Sequence, residues 1–258
     1  DYYLRAEWHY QALHTFLFAI VVVVIGWLLP RSKLLWHGGL LVNKAALACL
    51  VADVVLRCIV RGRPPILNLY DTFLFIASVG VAAAIAAEYW TRRRVALALA
   101  PIFGALLVML ARAFEVESGT DQMAPLQAVL DTNYYLATHV TAINMGYAAG
   151  MFASFLGTAW LLMNAIGFRR GDPEFHKAIV RATYGVTAFG LVFAVFGTIY
   201  GGVWANDSWG RFWGWDPKEN GALLIVIWNA IILHARWAGM IRDRGVAVLA
   251  VGGNIITA

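Results

Sequence analysis

Charged residues are scarce in this sequence: Asp, Glu, Lys and Arg together make up only 14% of its 258 residues. Soluble domains carry about a quarter of such residues, so this composition excludes that class of protein. There is also no basic tract with interleaved aromatic residues, which argues against a nucleic-acid partner. Hydrophobic residues instead reach 61%, with a mean hydropathy of +0.67. These values predict a protein embedded in the lipid bilayer.

Cysteine is nearly absent as well. Cys49 and Cys58 lie nine residues apart inside an apolar run. We interpret both as small core residues and not as a disulfide or a metal clip. No cleavable signal peptide is apparent. Because the chain begins at Asp1 and stops inside an apolar run at Ala258, we expect it to be a piece of a longer or fused polypeptide.

Long apolar runs predict an all-α fold, a polytopic transmembrane bundle of about seven to eight spans. A helix of about 17–25 residues crosses about 30 Å of hydrocarbon, and continuous runs favour helices over the alternating strands of a barrel. The predicted spans are Thr15–Leu29, Leu34–Leu56, Thr72–Ala87, Val95–Ala111, Leu136–Gly167, Ala182–Tyr200, Gly221–Met240 and a short eighth run, Val246–Ala258. We expect them to form one integral membrane domain over residues 1–258.

The distribution of Lys and Arg predicts which side each connection faces. Most of these residues follow the first, third, fifth and seventh spans, and the positive-inside rule places those connections in the cytoplasm. Arg61 and Arg63 fall on the opposite side as a partial exception. The connection between the sixth and seventh spans is therefore expected to face the periplasm or cell exterior of a bacterial plasma (inner) membrane.

That connection, residues 201–220, combines aromatic rings, glycines and charged side chains. It contains four tryptophans within twelve residues: Trp204, Trp209, Trp213 and Trp215. An aromatic belt at the membrane surface is the simpler explanation, but it does not account for this density. Such a surface suits a large, flat, apolar ligand, and composition leaves haem, a quinone headgroup and a lipid all open. Arg211 and Lys218 would suit carboxylates on the rim of that ligand.

The end of this segment also has an explanation that needs no ligand. Asp216, Pro217, Lys218 and Glu219 have the pattern of an N-cap followed by the first three positions of a helix. Asp216 would accept from first-turn amides while Glu219 reaches back in a capping box. The motif therefore predicts where the seventh span begins, with a tryptophan-rich outer loop before it.

Among the six histidines, His139 and His234 are the candidate haem ligands. We expect His139 about one turn inside a helix that begins at Tyr134 and Tyr135, near the outer surface. Small residues continue its face at helical spacing, where another helix or a flat ligand could come close. They are Gly146, Gly150, Ala153 and Gly157. The alternative is an interfacial histidine above a helix-packing seam.

His234 lies on the helix that Asp216 starts, about 27 Å deeper at about 1.5 Å per residue, towards the cytoplasmic side. An alternative for this residue is a histidine stabilised by the dipole at the end of a helix.

Several segments resemble one family. WANDSWGRFWGWDPKEN resembles the WWD signature of the haem-handling proteins of cytochrome c biogenesis, and its DPKE ending is similar to the CcsA (ResC) type. GRPPILNLYDTFLF resembles the loop before that family's third helix, and YYLATHVTAINMGYAAG resembles the segment with its outer-face histidine. LHAR, which contains His234, resembles its histidine in the following helix. The resemblance covers most of the chain from about Gly62 onward.

This resemblance implies a membrane component of a holocytochrome c synthase, which exports haem b and presents it for thioether attachment to the CxxCH segment of apocytochrome c. The resemblance implies that His139 is an axial haem ligand at the outer site and that His234 is a ligand at an inner membrane site. The implied haem platform consists of Trp204, Trp209, Trp213, Trp215 and Asp216. The family also implies a CcsB (ResB)-like partner or fused domain, and a second outer histidine beyond the end of this chain.

Two other functions remain open. A haem or lipid transporter without a role in attachment would use two histidines at different depths equally well. A cytochrome b-like electron-transfer subunit would need histidine pairs at matched depth, which His139 and His234 do not provide. The chain has no CxxCH of its own and no evident nucleophile or base. We therefore expect it to contribute positioning and iron ligation to the reaction.

Overall fold

The computed structural model describes residues 7–29, 32–92, 94–119 and 132–257, and across these ranges the chain is helical, with no β-strand. The helices are α1 (Trp8–Leu28), α2 (Lys33–Arg61), α3 (Leu69–Thr91), α4 (Val95–Ser118), α5 (Thr141–Ala165), α6 (Pro173–Trp209), α7 (Pro217–Trp237) and α8 (Asp243–Thr257). A short turn, Asn133–Tyr135, and a π-helical turn, Leu136–Val140, precede α5. The predicted all-α class is confirmed.

Seven helical segments in the described ranges are long and apolar enough to cross a membrane. They correspond to the seven predicted spans, and the chain is accordingly a multi-pass membrane protein. The eighth, α8, has 15 residues and is too short to span, as expected. Ala258, where the predicted eighth run ends, lies outside the described residues.

Helix α6 differs from its prediction in length. The expected span was Ala182–Tyr200, whereas α6 runs for 37 residues from Pro173 to Trp209. Asp172 caps its start by accepting from Phe175 N, and Gly210 ends it in the left-handed region at φ 69°. Since Asn, Asp and Trp do not break a helix, α6 continues past the apolar run. The expected tryptophan-rich loop is therefore wrong in its first half: Trp204 and Trp209 are helical.

The chain divides into two compact units, residues 1–133 and 134–258. In the amino-terminal unit, α3 packs on α4 and α2, and α1 packs on α2 and α4. In the carboxy-terminal unit, α5 packs on α6 and α8, while α7 packs on α6 and α8. A single integral membrane domain remains a prediction.

The amino-terminal unit buries an ionic network at the start of α3. Asn68 caps this helix by accepting from Asp71 N at 2.9 Å. The Asp71 carboxylate, 1% exposed, instead accepts from Arg57 Nε and Arg61 Nη1, both at 2.8 Å, and from Leu67 N at 3.1 Å. Charges inside a membrane domain are costly unless paired, so these contacts offset the cost of burying Asp71 beside the loop that leads into α3.

Candidate functional site

His139 lies on the π-helical turn, and not in a regular helix as expected. The turn Leu136–Val140 separates the short turn Asn133–Tyr135 from α5. A π turn inserts one extra residue into the helical ladder and is frequent at functional sites. Its effect here is to set the His139 side chain at an angle that a continuous helix from Tyr134 would not have.

A neighbouring helix holds the imidazole of His139. Its Nδ1 lies 2.7 Å from the backbone carbonyl oxygen of Gly197 on α6. Because a carbonyl oxygen only accepts, Nδ1 carries the hydrogen, and Nε2 of the neutral ring keeps its lone pair. This is the arrangement of most metal-binding histidines, in which the second ring nitrogen donates to a backbone carbonyl or a carboxylate.

Two glycines on α6 make this approach possible. A Cβ on Gly197 would lie 2.8 Å from the backbone of Ile143, and a Cβ on Gly201 would lie 2.7 Å from Cε1 of His139. Gly197 and Gly201 form a small-xxx-small pair, which brings helices into close contact. Sequence reasoning missed this pair, although the GTIYG spacing was a signal that could have identified it.

The predicted small-residue face of α5 is divided between two partners. Gly146 packs against the backbone of Ala194 on α6, where an added Cβ would lie 3.1 Å from its nitrogen. Gly150 faces Thr257, and Gly157 faces the carbonyl of Ala247, both on α8. Helices therefore occupy the positions next to these three glycines, which favours the helix-packing explanation for them.

Trp204 is the centre of an aromatic cluster around His139. Its ring centroid lies 5.7 Å from that of His139 and 6.3 Å from that of Trp209. The ring of Tyr135 stacks on Trp204 at 5.7 Å with an interplanar angle of 10°. We call these four residues, Tyr135, His139, Trp204 and Trp209, the His139 cluster. The extension of α6 past the predicted boundary is what brings both tryptophans into it.

The other two tryptophans form a pair in the loop after α6. The rings of Trp213 and Trp215 meet edge to face at 6.0 Å. Trp215 is 70% exposed and has φ 60°, a left-handed conformation that is rare for an aromatic residue and costs free energy. Nε1 of Trp213 is buried without a hydrogen-bond partner in the described structure. An unpaired buried donor calls for an explanation, and a bound acceptor is one.

The predicted capping box is confirmed. Asp216 accepts from Glu219 N at 2.9 Å, and Glu219 Oε2 accepts from Asp216 N at 3.3 Å. The hydrogen bond from the Glu219 amide lowers the pKa of the Asp216 carboxyl below its ordinary value. Asp216 therefore has a complete structural role as the start of α7.

The two predicted carboxylate-binding cations differ in their surroundings. Arg211 donates to Glu219 Oε1 at 2.9 Å and lies 3.6 Å from Asp216 Oδ2. Its guanidinium also covers Gly214. Lys218 is exposed and makes no ion pair within the described ranges. Arg211 thus bonds to carboxylates at the end of the same loop, while the ammonium of Lys218 remains available to a ligand.

His234 lies in the last turns of α7, on an exposed face. Its Nδ1 is 2.8 Å from the carbonyl oxygen of Ala230, one turn earlier on the same helix. Its ring lies 6.4 Å from that of Trp237. The described residues contain no group of three or more His, Cys, Asp or Glu side chains that could hold a metal ion, so neither His139 nor His234 belongs to such a cluster.

Comparison with known proteins identifies the family. The family model described as Cytochrome C assembly protein matches residues 66–257. The chain belongs to this family. Among its relatives, the Cytochrome c biogenesis protein CcsA of Synechococcus sp. (strain CC9902) is 31% identical, over 81% of this chain and 77% of the relative. The protein of the same name from Synechococcus sp. (strain CC9311) is 29% identical, over 95% of this chain and 90% of the relative.

This chain also has a structural match. The solved structure of the Cytochrome c Heme Lyase CcmF superposes with a TM-score of 0.63, covering 97% of this chain and 45% of that chain. At 16% sequence identity this likeness concerns the fold alone. The sequence matches identify a CcsA-type protein with a role in cytochrome c maturation, which confirms the resemblance drawn from the motifs.

Proposed function

We propose that this protein binds haem b through His139 at the outer face of a bacterial plasma membrane and presents it for covalent attachment to an apocytochrome c. The proposal depends on one observation above all: the hydrogen bond from His139 Nδ1 to Gly197 O leaves Nε2 of the neutral ring with its lone pair, and the centroid of this ring lies 5.7 Å from that of Trp204. A neutral, pre-oriented imidazole is the donor that haem iron accepts.

The aromatic residues support a planar apolar ligand. Trp209 is 53% exposed and Trp215 is 70% exposed, so both offer ring surface that is not covered by this chain. Haem is a flat macrocycle with two propionates, and stacking against indole rings would bury its apolar faces. The unpaired Nε1 of Trp213 could donate to a propionate oxygen.

Lys218 is our candidate for the second propionate contact. Binding through Arg211 would require breaking its bonds to Glu219 and Asp216, whereas Lys218 has no ion pair to lose within the described structure. In this proposal Asp216 contributes indirectly, because it fixes the start of α7 and so the position of Lys218.

We assign His234 to an inner site on the route of haem across the membrane. Its ring is exposed at the end of α7 opposite to Asp216, so a haem or a partner helix could reach it. A CcsB (ResB)-like subunit or fused domain is the proposed partner.

The bond-forming chemistry belongs to the two substrates. The thiols of a CxxCH segment add across the haem vinyl groups, and each thiol proton ends on the vinyl carbon that does not receive sulfur. His139 would hold the iron, the tryptophans would fix the plane, and Lys218 would set the rotation of the macrocycle. Such fixed geometry converts a bimolecular encounter into an oriented reaction.

The proposal is tested with His139→Ala in the full chain, co-expressed with its partner and an apocytochrome c. We expect haem content in the purified protein to fall about tenfold or more, and covalent cytochrome to fall with it. His37→Ala is the matched control, because His37 is exposed and bonded only to its own helix among the described contacts, at Lys33 O. Unchanged haem content and an unchanged absorption spectrum in His139→Ala would refute the assignment. Haem uptake without covalent product in the wild type would favour a transporter.

A further inference from the structure

A hydroxyl–carboxylate bond ties the turn that carries His139 to helix α6. The hydroxyl of Tyr135 donates to Oδ2 of Asp207. Tyr135 ends the short turn immediately before the π-helical turn, and Asp207 lies in the last turn of α6. The ring of Tyr135 is also stacked on Trp204. One side chain therefore contacts α6 twice, by its ring and by its hydroxyl.

We propose that Tyr135 and Asp207 are a positioning pair that holds the His139 turn against α6. The inference rests on the proposed function only for its consequence, which is that the pair sets the distance and angle between His139 and Trp204 and thereby the ligation of haem. Neither residue needs to touch the haem for this role.

The π-helical turn that carries His139 has contacts with α6. Its π-helical hydrogen bonds interrupt the regular ladder, and side chains of this segment also contact α6. Among the described contacts of this segment, two side-chain hydrogen bonds reach α6: His139 to Gly197 O, and Tyr135 to Asp207. The last is the charge-assisted one, and such bonds are roughly twice as strong as neutral ones.

Ring contacts also connect the turn to Trp204. Trp204 contacts the rings of Tyr135, His139 and Trp209. Tyr135 lies parallel to Trp204 while its hydroxyl bonds to Asp207, so two contacts connect the indole plane to the turn. Loss of the Tyr135 hydroxyl would allow the turn to move relative to the Trp204 indole. The imidazole of His139, which lies on the turn, would move with it.

A purely structural role predicts a different result. Asp207 is exposed, and exposed ionic contacts add little to global stability. If the pair served only folding, its removal would change thermal stability, hydrogen exchange of the turn and haem ligation very little. If it positions the turn, its removal changes local opening and haem ligation while thermal stability stays close to wild type.

The experiment uses the full chain in detergent micelles, with Tyr135→Phe, Asp207→Asn, the conservative Asp207→Glu and the double variant. Tyr184→Phe is the control, because it removes a hydroxyl from α6 far from the turn. The first readout is hydrogen–deuterium exchange of peptides covering residues 136–140 without added haem. The second is titration with ferric haem, followed by its absorption spectrum and midpoint potential.

We expect exchange in the turn to become about threefold or more faster in Tyr135→Phe and Asp207→Asn, and haem affinity to weaken about threefold to tenfold with a shifted spectrum. Asp207→Glu should recover part of both effects. The double variant should be no worse than either single variant, since the two residues act through one bond.

Exchange, spectrum and affinity that all match wild type in Tyr135→Phe would overturn the inference, as would an equal change in Tyr184→Phe. The two proposals fail separately. A wild-type protein that binds no haem contradicts the proposed function, whereas the exchange measurement without haem still decides whether the pair holds the turn.

Discussion

His139 and His234 both place Nδ1 against a backbone carbonyl oxygen, at 2.7 Å and 2.8 Å, but the two carbonyls come from different places. The His139 partner is Gly197, on another helix. The His234 partner is Ala230, one turn earlier on the same helix. In each case Nε2 is the nitrogen left for a ligand.

The difference lies in what each bond requires. A bond from a helical histidine to the carbonyl one turn earlier is open to almost any histidine in a helix, so it says little about function. The His139 bond requires two helices at glycine contact distance and a π turn in the right register. His139 is thus fixed by contacts between two helices, whereas the described hydrogen bond of His234 lies within its own helix.

Gly201→Ala should have the largest effect, because it disturbs the contact that distinguishes His139 from His234. Its Cβ would lie 2.7 Å from Cε1 of His139, so the imidazole must move away from Gly197 O. We expect haem affinity to fall about tenfold and the free energy of unfolding to fall by about 1–3 kcal/mol. Haem titration and thermal unfolding measure the two effects.

Gly221→Ala is its control, because an added Cβ at Gly221 has open space around it. If Gly201→Ala retained the haem affinity and spectrum of wild type, the orientation of His139 would not matter for binding.

A smaller effect is expected from His234→Ala. Because His234 is exposed and bonded to its own helix, its loss should leave thermal stability unchanged. Haem loading in cells should fall about threefold if the inner site delivers haem, since delivery and not outer ligation would be impaired. The absorption spectrum of the haem that remains should match wild type, in contrast to that of His139→Ala. A changed spectrum would place His234 at the same haem as His139.

The smallest effect concerns acid stability. The hydrogen bond from Glu219 N lowers the pKa of Asp216 in the folded protein. A lowered carboxyl pKa contributes stability above the pKa of the unfolded chain, and this is lost as pH falls through the folded pKa, below about pH 4. Asp216→Asn should therefore have a slightly lower melting temperature than wild type at pH 6, and the difference should be smaller at pH 3. Equal differences at both pH values would contradict this role.

Much of the fold was predictable because its signals are local. Apolar runs of sufficient length predicted the seven spans, and the pattern from Asp216 to Glu219 predicted the start of α7 and its capping box. The end of α6 was not predictable from hydropathy. Hydropathy indicates which part of a helix lies within the hydrocarbon of the bilayer. The helix itself can continue beyond that part until a residue ends it, which here is Gly210.

The sequence by itself determined the membrane class, the number of spans and the motif that identifies the family, because each depends on residues within one continuous stretch. Only the tertiary structure decided that His139 Nδ1 is occupied, that Arg211 is engaged within the loop, and that Tyr135 reaches Asp207. The His139–Gly197 bond joins residues 58 positions apart. Such contacts depend on how closely two helices pack, which is set by glycines that must face the right neighbour and not by any local pattern.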